Sequence, residues 1–435
     1  MAREMKDSGV PWVGDIPKSW TNKRLKYLTL YNNKTLVENT DENFEFDYID
    51  ISSVEYGRGI TQKQHLIFRD APSRARRVVK SGDVILSTVR TYLKAVATIE
   101  ESKDPLIVST GFIVLEAIPE EISPRFLHYA VLSDSFISLV EAYSVGISYP
   151  AINASEIINF YIPLPSLIEQ TTIANFLDSE CSRIDDLISL VHDSIEECRK
   201  LKQSVITKAI TKGIRSNRPM KDSEIPWIGS IPDDWSLSTI GKTILFEGGS
   251  QPPLTEFVHE PQEGYIRLIQ NRDYKTDAYT TYVPIDSVSK FCTEEDVMIG
   301  RYGPPMFVMH RGLRGAYNVA LMKAIPQGID REWMSFVLQE FTLLRYVESF
   351  SKRAAGQDGV NPKILKNYPL PLPDMEEQRE IADYLRERTA SIEDMISKKE
   401  ELIKELNNCK KSLIYEYATG KKEVLRDGVL SISAF

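Results

Sequence analysis

Residues 5–20 read MKDSGVPWVGDIPKSW and residues 220–235 read MKDSEIPWIGSIPDDW. Ten of the sixteen positions are identical, and Val10/Ile225 and Val13/Ile228 exchange one β-branched residue for another. A match of this length at a separation of 215 positions is not chance, so an internal repeat has to be resolved before any fold is assigned. The segment itself, broken by prolines and glycine and carrying paired tryptophans, is unsuited to a long helix and too apolar for a free linker. It is expected to be packed structure at the start of a module.

Further echoes follow in the same order. Tyr48-Ile-Asp-Ile matches Tyr265-Ile-Arg-Leu, Asp83-Val-Ile-Leu matches Asp296-Val-Met-Ile, and Ala117-Ile-Pro matches Ala324-Ile-Pro. IPLPSLIEQTTIANFL (162–177) then matches LPLPDMEEQREIADYL (370–385) at an offset of 208. Borders agree while interior polar residues diverge. That pattern implies a common frame presenting two different surfaces, whereas a duplicated enzyme would keep its reacting side chains in both copies.

After each proline-rich border the pattern becomes helical, because proline suits an extended approach and cannot continue inside a helix. Ser166 and Asp374 are placed as N-caps, with Glu169 and Glu377 at capping-box spacing. Helices are expected from about Leu167 to Lys212 and from about Glu376 to Ala418, each roughly 60 Å long. The first carries Ile184, Ile188, Val191, Ile195, Cys198, Val205 and Ala209 at alternating spacings of four and three, interrupted at Lys202; the second carries Met395, Leu402, Leu406, Cys409 and Leu413 around Lys399. Such spacing is the seam of a coiled coil, and a narrow stripe with charged flanks needs a partner helix. Mutual antiparallel packing is expected.

Residues 44–54 and 106–118 have the β-branched and aromatic content of strands, while 124–141 and 331–350 have helical apolar spacing. The chain therefore reads as α+β: two pseudo-repeated mixed α/β domains joined by two long antiparallel coiled-coil helices. The expected boundaries are a first globular domain at 1–165, a helical spacer at 166–214, a second globular domain at 215–373, a second spacer at 374–425 and a tail at 426–435. A length of 435 residues suits such a multidomain plan. With 42% apolar and 26% charged residues, no apolar run of membrane-spanning length and no signal-peptide h-region, the expectation is a cytoplasmic protein without a membrane partner. Cys181, Cys198, Cys292 and Cys409 are too scattered for a zinc site and read as reduced thiols.

A search for chemistry finds decoys. Gly241-Lys242-Thr243 looks like the end of a phosphate loop, but Ser236 stands where that loop needs its first glycine. Asp83 with Glu101 and Lys103 mimics a metal-dependent nuclease, yet the second copy keeps Asp296 and nothing of the rest. The base-gripping Asn-Pro-Pro-aromatic tetrad and the glycine-rich turn of a methyltransferase are missing, and His65, His128, His192, His259 and His310 show no ligand spacing. No catalytic residue and no metal site are expected. The net charge of −9 argues mildly against a wholly basic nucleic-acid binder, but Arg69, Arg74, Arg76, Arg77, Lys80, Arg90 and Lys94 face only Asp70 and Asp83 over one short stretch.

The layout strongly resembles the specificity subunit of type I restriction-modification systems. IPKSW (16–20) and IPDDW (231–235) would open the two target-recognition domains, and IPLPSLIEQ and LPLPDMEEQ the two helical regions. The resemblance covers residues 5 to 425 and rests on the order and duplication of these motifs. It implies a non-catalytic subunit that binds a bipartite double-stranded DNA target, one domain per half-site, with the helix pair as a ruler. It also implies two modification (adenine methyltransferase) subunits and ATP-driven restriction/translocase subunits as partners. No cofactor is expected in this chain; S-adenosylmethionine, ATP and Mg2+ would belong to the partner subunits. On this resemblance, DNA contacts are expected from Arg74, Arg76, Arg77, Arg90 and Lys94 in the first domain, and from Arg267, Gln270, Asn271, Arg272, Arg301, Arg311 and Arg314 in the second. Arginine suits phosphate and guanine, while the amides suit adenine. The first domain (21–160) has 15 basic against 18 acidic residues and the second (236–368) 15 against 15, so weak solitary binding is expected. The competing reading is a non-enzymatic coiled-coil scaffold whose globular ends bind other proteins.

Overall fold

The computed structural model describes residues 3–302, 307–351, 360 and 362–424; the expected tail at 426–435 lies outside the described residues. The chain forms two compact units, Met1–Val191 with Glu401–Phe435, and His192–Glu400.

In the first unit the opening segment is a hairpin, Met5–Asp7 paired with Asp15–Pro17. It lays Val13, Ile16 and Trp20 into the core, where Trp20 meets Phe126 edge-on. The globular part is built from two sheets. One runs Val96–Thr98, Val84–Ser87, Phe112–Ala117, Thr29–Tyr31, all antiparallel. The other runs Gln64–Ile67, Glu45–Ile49, Leu106–Ser109, Ala75–Val79, with a parallel contact between Glu45–Ile49 and Leu106–Ser109. Every residue of Val84–Ser87 and Leu106–Ser109 is buried, so these central strands are apolar on both faces. Helices Pro124–Leu132 and Asp134–Tyr143 cover the first sheet.

The second unit repeats the plan. Met220–Asp222 pairs with Ser230–Pro232 in the register of the first hairpin, and Trp235 is buried as Trp20 is. Its sheets keep the same order: Met309–His310, Val297–Gly300, Leu321–Pro326, Ile244–Gly248 in one, and Tyr282–Pro284, Tyr265–Ile269, Gly315–Tyr317, Phe291–Cys292 in the other. The parallel contact recurs between Tyr265–Ile269 and Gly315–Tyr317. Helices Arg331–Val337 and Phe341–Ser351 follow the last long strand.

The long helices span Leu167–Lys212 and Met375–Ala418. Ser166 Oγ accepts from Glu169 N at 3.3 Å and Asp374 Oδ1 from Glu377 N at 2.8 Å, so both N-caps form. The expected capping boxes do not close, because the glutamates reach the opening segments instead. Glu169 pairs with Arg3 at 2.5 Å, and Glu377 pairs with Arg218 and accepts from Trp235 Nε1 at 2.8 Å. Each arginine also covers the face of its tryptophan. The next residue clamps the globular domain: Gln170 accepts from Ser123 N and donates to Glu121 and Pro165 carbonyls, and Gln378 accepts from Asp330 N and donates to the Pro373 carbonyl. The repeated Glu-Gln is therefore a joint between helix and domain.

Within each unit the helices run antiparallel. Ile173, Leu177 and Cys181 share a core with Ile414, Tyr417 and Ala418 in the first. In the second, Ile206, Ala209 and Ile210 meet Ile381, Ala382 and Leu385, and Lys202 pairs with Glu393. Gly213 and Gly420 end the helices at φ of 72° and 73°. A Cβ on Gly420 would strike Pro17 at 2.5 Å and one on Gly213 would crowd Arg218 and Trp235, so each helix end seats an opening segment.

Seam residues divide by helix. On the first, Ile184, Ile195 and Ala209 are buried and Ile188, Val191, Cys198 and Val205 half-buried. On the second the expected phase is corrected. Met395, Leu402 and Cys409 are exposed, Leu406 and Leu413 half-buried, and the buried series runs through Thr389, Ile392, Ile396, Lys410 and Ile414. Apolar spacing gave the wrong phase because a charged residue occupies the seam: the Lys410 ammonium meets Asp185 at 2.6 Å and the Gly57 carbonyl at 2.9 Å.

Candidate nucleic-acid interface

In each domain the turns at one end of the two sheets form a common rim. In the first domain the strands Glu45–Ile49, Val84–Ser87 and Leu106–Ser109 all end there, since Ile49 pairs with Val108 and Ser87 with Phe112 across the 109–112 turn. Arg74 lies at this rim, where its carbonyl accepts from Thr110 N and its guanidinium pairs with Asp50 at 2.8 Å. Arg90 and Lys94 flank the 3-10 turn Thr91–Leu93, and both hold left-handed backbone at φ of 51° and 52°. Non-glycine residues in that region are strained, and such strain concentrates at functional sites. Arg90 covers Tyr149 at 5.1 Å, and Lys94 lies 3.5 Å from Glu141.

Arg76 and Arg77 sit within the strand Ala75–Val79 and are half-buried. Arg76 covers Phe68 and donates to the Ala75 carbonyl, and Arg77 donates to Thr35 at 3.4 Å. Burial lowers the Arg77 pKa. The structure thus brings together Arg74, Arg90 and Lys94 and gives Arg76 and Arg77 local partners.

In the second domain the rim is formed where Tyr265–Ile269, Val297–Gly300 and Gly315–Tyr317 end, since Ile269 pairs with Tyr317 and Gly300 with Leu321. Gln270, Asn271 and Arg272 lie on the turn after the first of these strands, and Arg301 follows the second. Asp273, buried, accepts from Gln270 N at 2.9 Å and fixes the turn, and burial raises its pKa. Gln270 spends its amide on Thr281 at 3.4 Å, Arg272 covers Tyr279, and Arg301 donates to the Val319 carbonyl. Arg267, inside its strand, pairs with Asp277 at 2.7 Å. Arg311 and Arg314 are not at this rim: Met298 pairs with His310, which carries the chain away from Arg301, and Arg311 meets Glu332 at 2.6 Å.

His310 has a place that its isolated sequence position did not signal. It stacks on Tyr274 at 4.4 Å and 10°, and its Nε2 lies 3.0 Å from Asn271 Oδ1. Burial and Lys275 depress its pKa, so the neutral ring donates from Nε2, while Asn271 Nδ2 donates to the Tyr302 carbonyl at 3.3 Å. The Asn271 amide is thereby oriented, with one N–H and one carbonyl lone pair left over. A stacked pair of a turn residue, Tyr274, and a strand residue, His310, creates this, and no linear spacing encodes it.

The decoys resolve into structure. Asp83 and Asp296 each accept from the backbone N–H three residues earlier, Lys80 and Thr293, closing matched turns. Asp47, His65 and Asp104 bring one potential ligand atom each within 4.8 Å, the group expected to be absent from sequence. His65 and Asp104 are exposed, and His65 Nδ1 lies 3.1 Å from Asp47, which raises the His65 pKa. Burial pushes the Cys181 and Cys292 thiols up to about 11. No described helix is long and apolar enough to cross a membrane.

A family model for the type I restriction modification DNA specificity domain matches residues 17–197 and again 233–405. A Methanocaldococcus jannaschii chain provisionally named the MjaX type I restriction enzyme specificity subunit is 25% identical, over 89% of this chain and 90% of its own. The MjaVIII type I restriction enzyme specificity subunit of the same organism is 25% identical, over 68% of this chain and 71% of its own. A solved structure concerned with complex assembly and conformational transition of the type I R-M system contains a chain of like fold. Its TM-score is 0.70 at 24% identity, covering 94% of this chain and 99% of that one.

Proposed function

The chain belongs to the type I restriction-modification DNA specificity family, and from that premise we infer that it is the DNA-sequence-specificity subunit of a type I restriction-modification complex. It is a non-catalytic subunit that binds a bipartite target, one recognition domain per half-site. The observation that carries this reading is the contrast between two frames whose four-stranded sheets match in strand order and two rims that share almost no polar residue.

Residues 1–165 and 215–373 act as the two readers and 166–214 and 374–425 as the spacer between them. At the first rim Arg74, Arg90 and Lys94 hold phosphates or guanine. At the second, Arg272 and Arg301 do the same, and the oriented Asn271 amide suits the paired donor and acceptor of adenine. Arg76, Arg77, Arg267 and Gln270 are held by their local partners, and Arg311 and Arg314, away from the rim, take no part in the contact. The helix pair fixes the phase of the half-sites, because one face of B-DNA recurs about every 34 Å.

Two modification subunits carrying adenine methyltransferase chemistry dock on this scaffold in the cytoplasm, and restriction/translocase subunits join them. S-adenosylmethionine, ATP and Mg2+ serve those partners. With near-neutral readers, much of the phosphate grip comes from the assembled complex.

The test is selection from random duplexes by the full chain assembled with its modification partners. Two specified blocks around an unspecified spacer are expected; one contiguous block, or no selection, would contradict the reading. Deleting one heptad between Leu187 and Val205 is expected to change the preferred spacer, and an unchanged spacer removes the ruler.

A further inference from the structure

Beside the first rim stands a feature that recognition by charge and amides leaves unused. Residues 145–151 form a small loop closed by a pair of backbone hydrogen bonds, Val145 N to Ala151 O at 2.8 Å and Ala151 N to Val145 O at 3.0 Å. Its base is bound to the rim, since Ala151 bridges to Val89, Ile152 N donates to Thr88 O at 2.9 Å, and Thr91 Oγ1 donates to Ser144 Oγ at 2.9 Å. The tip displays apolar side chains to solvent. Val145 is 81% exposed, Tyr149 65% and Ile147 fully so, with Tyr92 and Tyr143 also exposed.

An exposed apolar tip on a rigid base is costly in water unless something covers it. Its surroundings say what. Arg90 covers the Tyr149 ring from the adjoining left-handed turn, and Lys94 and Arg74 share the rim; the Glu141 carboxylate lies beside Lys94 and the Asp50 carboxylate pairs with Arg74. Apolar residues framed by arginine are the means by which proteins part a base step while holding the flanking phosphates.

We propose that the 145–151 loop is a wedge that inserts Ile147, flanked by Val145 and Tyr149, between stacked bases of the half-site read by the first domain, with Arg90 and Lys94 holding the phosphates on either side. The proposal rests on the DNA-reading function and adds deformation of the duplex to it. A site whose steps part easily is then preferred even where no base edge is touched. Because Tyr149 is already seated under Arg90 and the loop is closed by its own hydrogen bonds, insertion orders little that is not ordered beforehand.

The test uses the full chain assembled with modification subunits, bound to duplexes of its selected site, with permanganate oxidation of thymines reporting unstacked steps. Wild type is expected to expose a step in the first half-site. A Val145→Ser, Ile147→Ser, Tyr149→Ser triple variant, changed only at exposed positions, is expected to lose that reactivity and about 10- to 100-fold in affinity, while its choice of bases in the second half-site is unchanged. Full stacking with wild type, or persistence of the reactive step in the variant, overturns the wedge. So does a variant that keeps wild-type affinity but no longer assembles with the modification subunits, which would make the loop a protein-docking element. If wild type selects no bipartite site, the DNA-reading function itself fails and the wedge falls with it, a result distinct from selection without unstacking.

Discussion

Trp20 and Trp235 are buried at matching places in the two units, each under an arginine that pairs with a glutamate at a helix start. The rims differ in kind: Arg90, Lys94 and an apolar loop on one, Asn271, His310 and Arg301 on the other. Residues that close a hairpin or seat a helix end have geometric tasks that only a few side chains perform, whereas rim residues are held by backbone that folds whatever they are. The matched parts therefore report what the fold needs, and the unmatched parts what the two domains do differently.

The comparison can be broken most severely at its shared centre. Trp20→Ala and Trp235→Ala each remove a fully buried ring and are expected to cost about 3–5 kcal/mol, read as a lower denaturation midpoint by urea titration. Similar losses support a common frame; a neutral outcome in one copy would end the equivalence. A sharper contrast comes from the arginines. Arg218 pairs with Glu377 at a side chain only 1% exposed, whereas Arg3 and Glu169 are partly solvated. Arg218→Met, which strands a buried carboxylate, is expected to cost about 3 kcal/mol, and Arg3→Met about 1 kcal/mol.

Asn271→Ala is expected to cost about 1–3 kcal/mol in binding and to relax base preference in one half-site only, as measured by competition between single-base variants of the selected duplex. Arg90→Ala should act on the other half-site.

Acid acts on both units. Burial, with Lys410 nearby, pushes His128 from its ordinary 6.5 down to about 4. Between those values the unfolded chain carries a proton that the folded unit refuses, so stability is full above about pH 6.5 and falls as pH drops towards 4. The loss is about 1–3 kcal/mol. His128→Gln is expected to flatten this slope in melts at pH 4.5 and 7. His310 is displaced in the same direction by burial and Lys275, which gives the second unit a slope of the same sign.

The smallest effect tests a difference inside the matched hairpins. Gly9 and Glu224 share a left-handed conformation at φ of 68° and 60°. Gly9→Glu is expected to destabilise by about 1 kcal/mol and Glu224→Gly to change stability by less than about 1 kcal/mol, since relieved strain is offset by backbone entropy.

Much of the frame was legible in the amino acids because it is written twice. The helix limits near Leu167, Lys212 and Ala418 followed from the prolines before them and the apolar period within them. The use of Glu169 and Glu377 was not legible, because capping-box spacing is local while their partners, Arg3 and Arg218, are far away in the chain. The second seam was misphased for a related reason: Lys410 is buried by tertiary partners, so a rule that searches for apolar residues selects its neighbour Cys409. Rim positions were only partly legible. Arginine clusters mark charge, but which members meet depends on strand register, and that register sends Arg311 away from Arg301. His310 gains its role only from the Tyr274 stack.

The most direct test of modular reading is to replace Gln270, Asn271, Arg272 and Arg301 together with alanine, assemble the full complex and repeat selection from random duplexes. The expected result is a degenerate word in one half-site, with the other half-site and the spacer unchanged. Degeneration of both half-sites, or of neither, would contradict the claim that each domain reads its own half of the target.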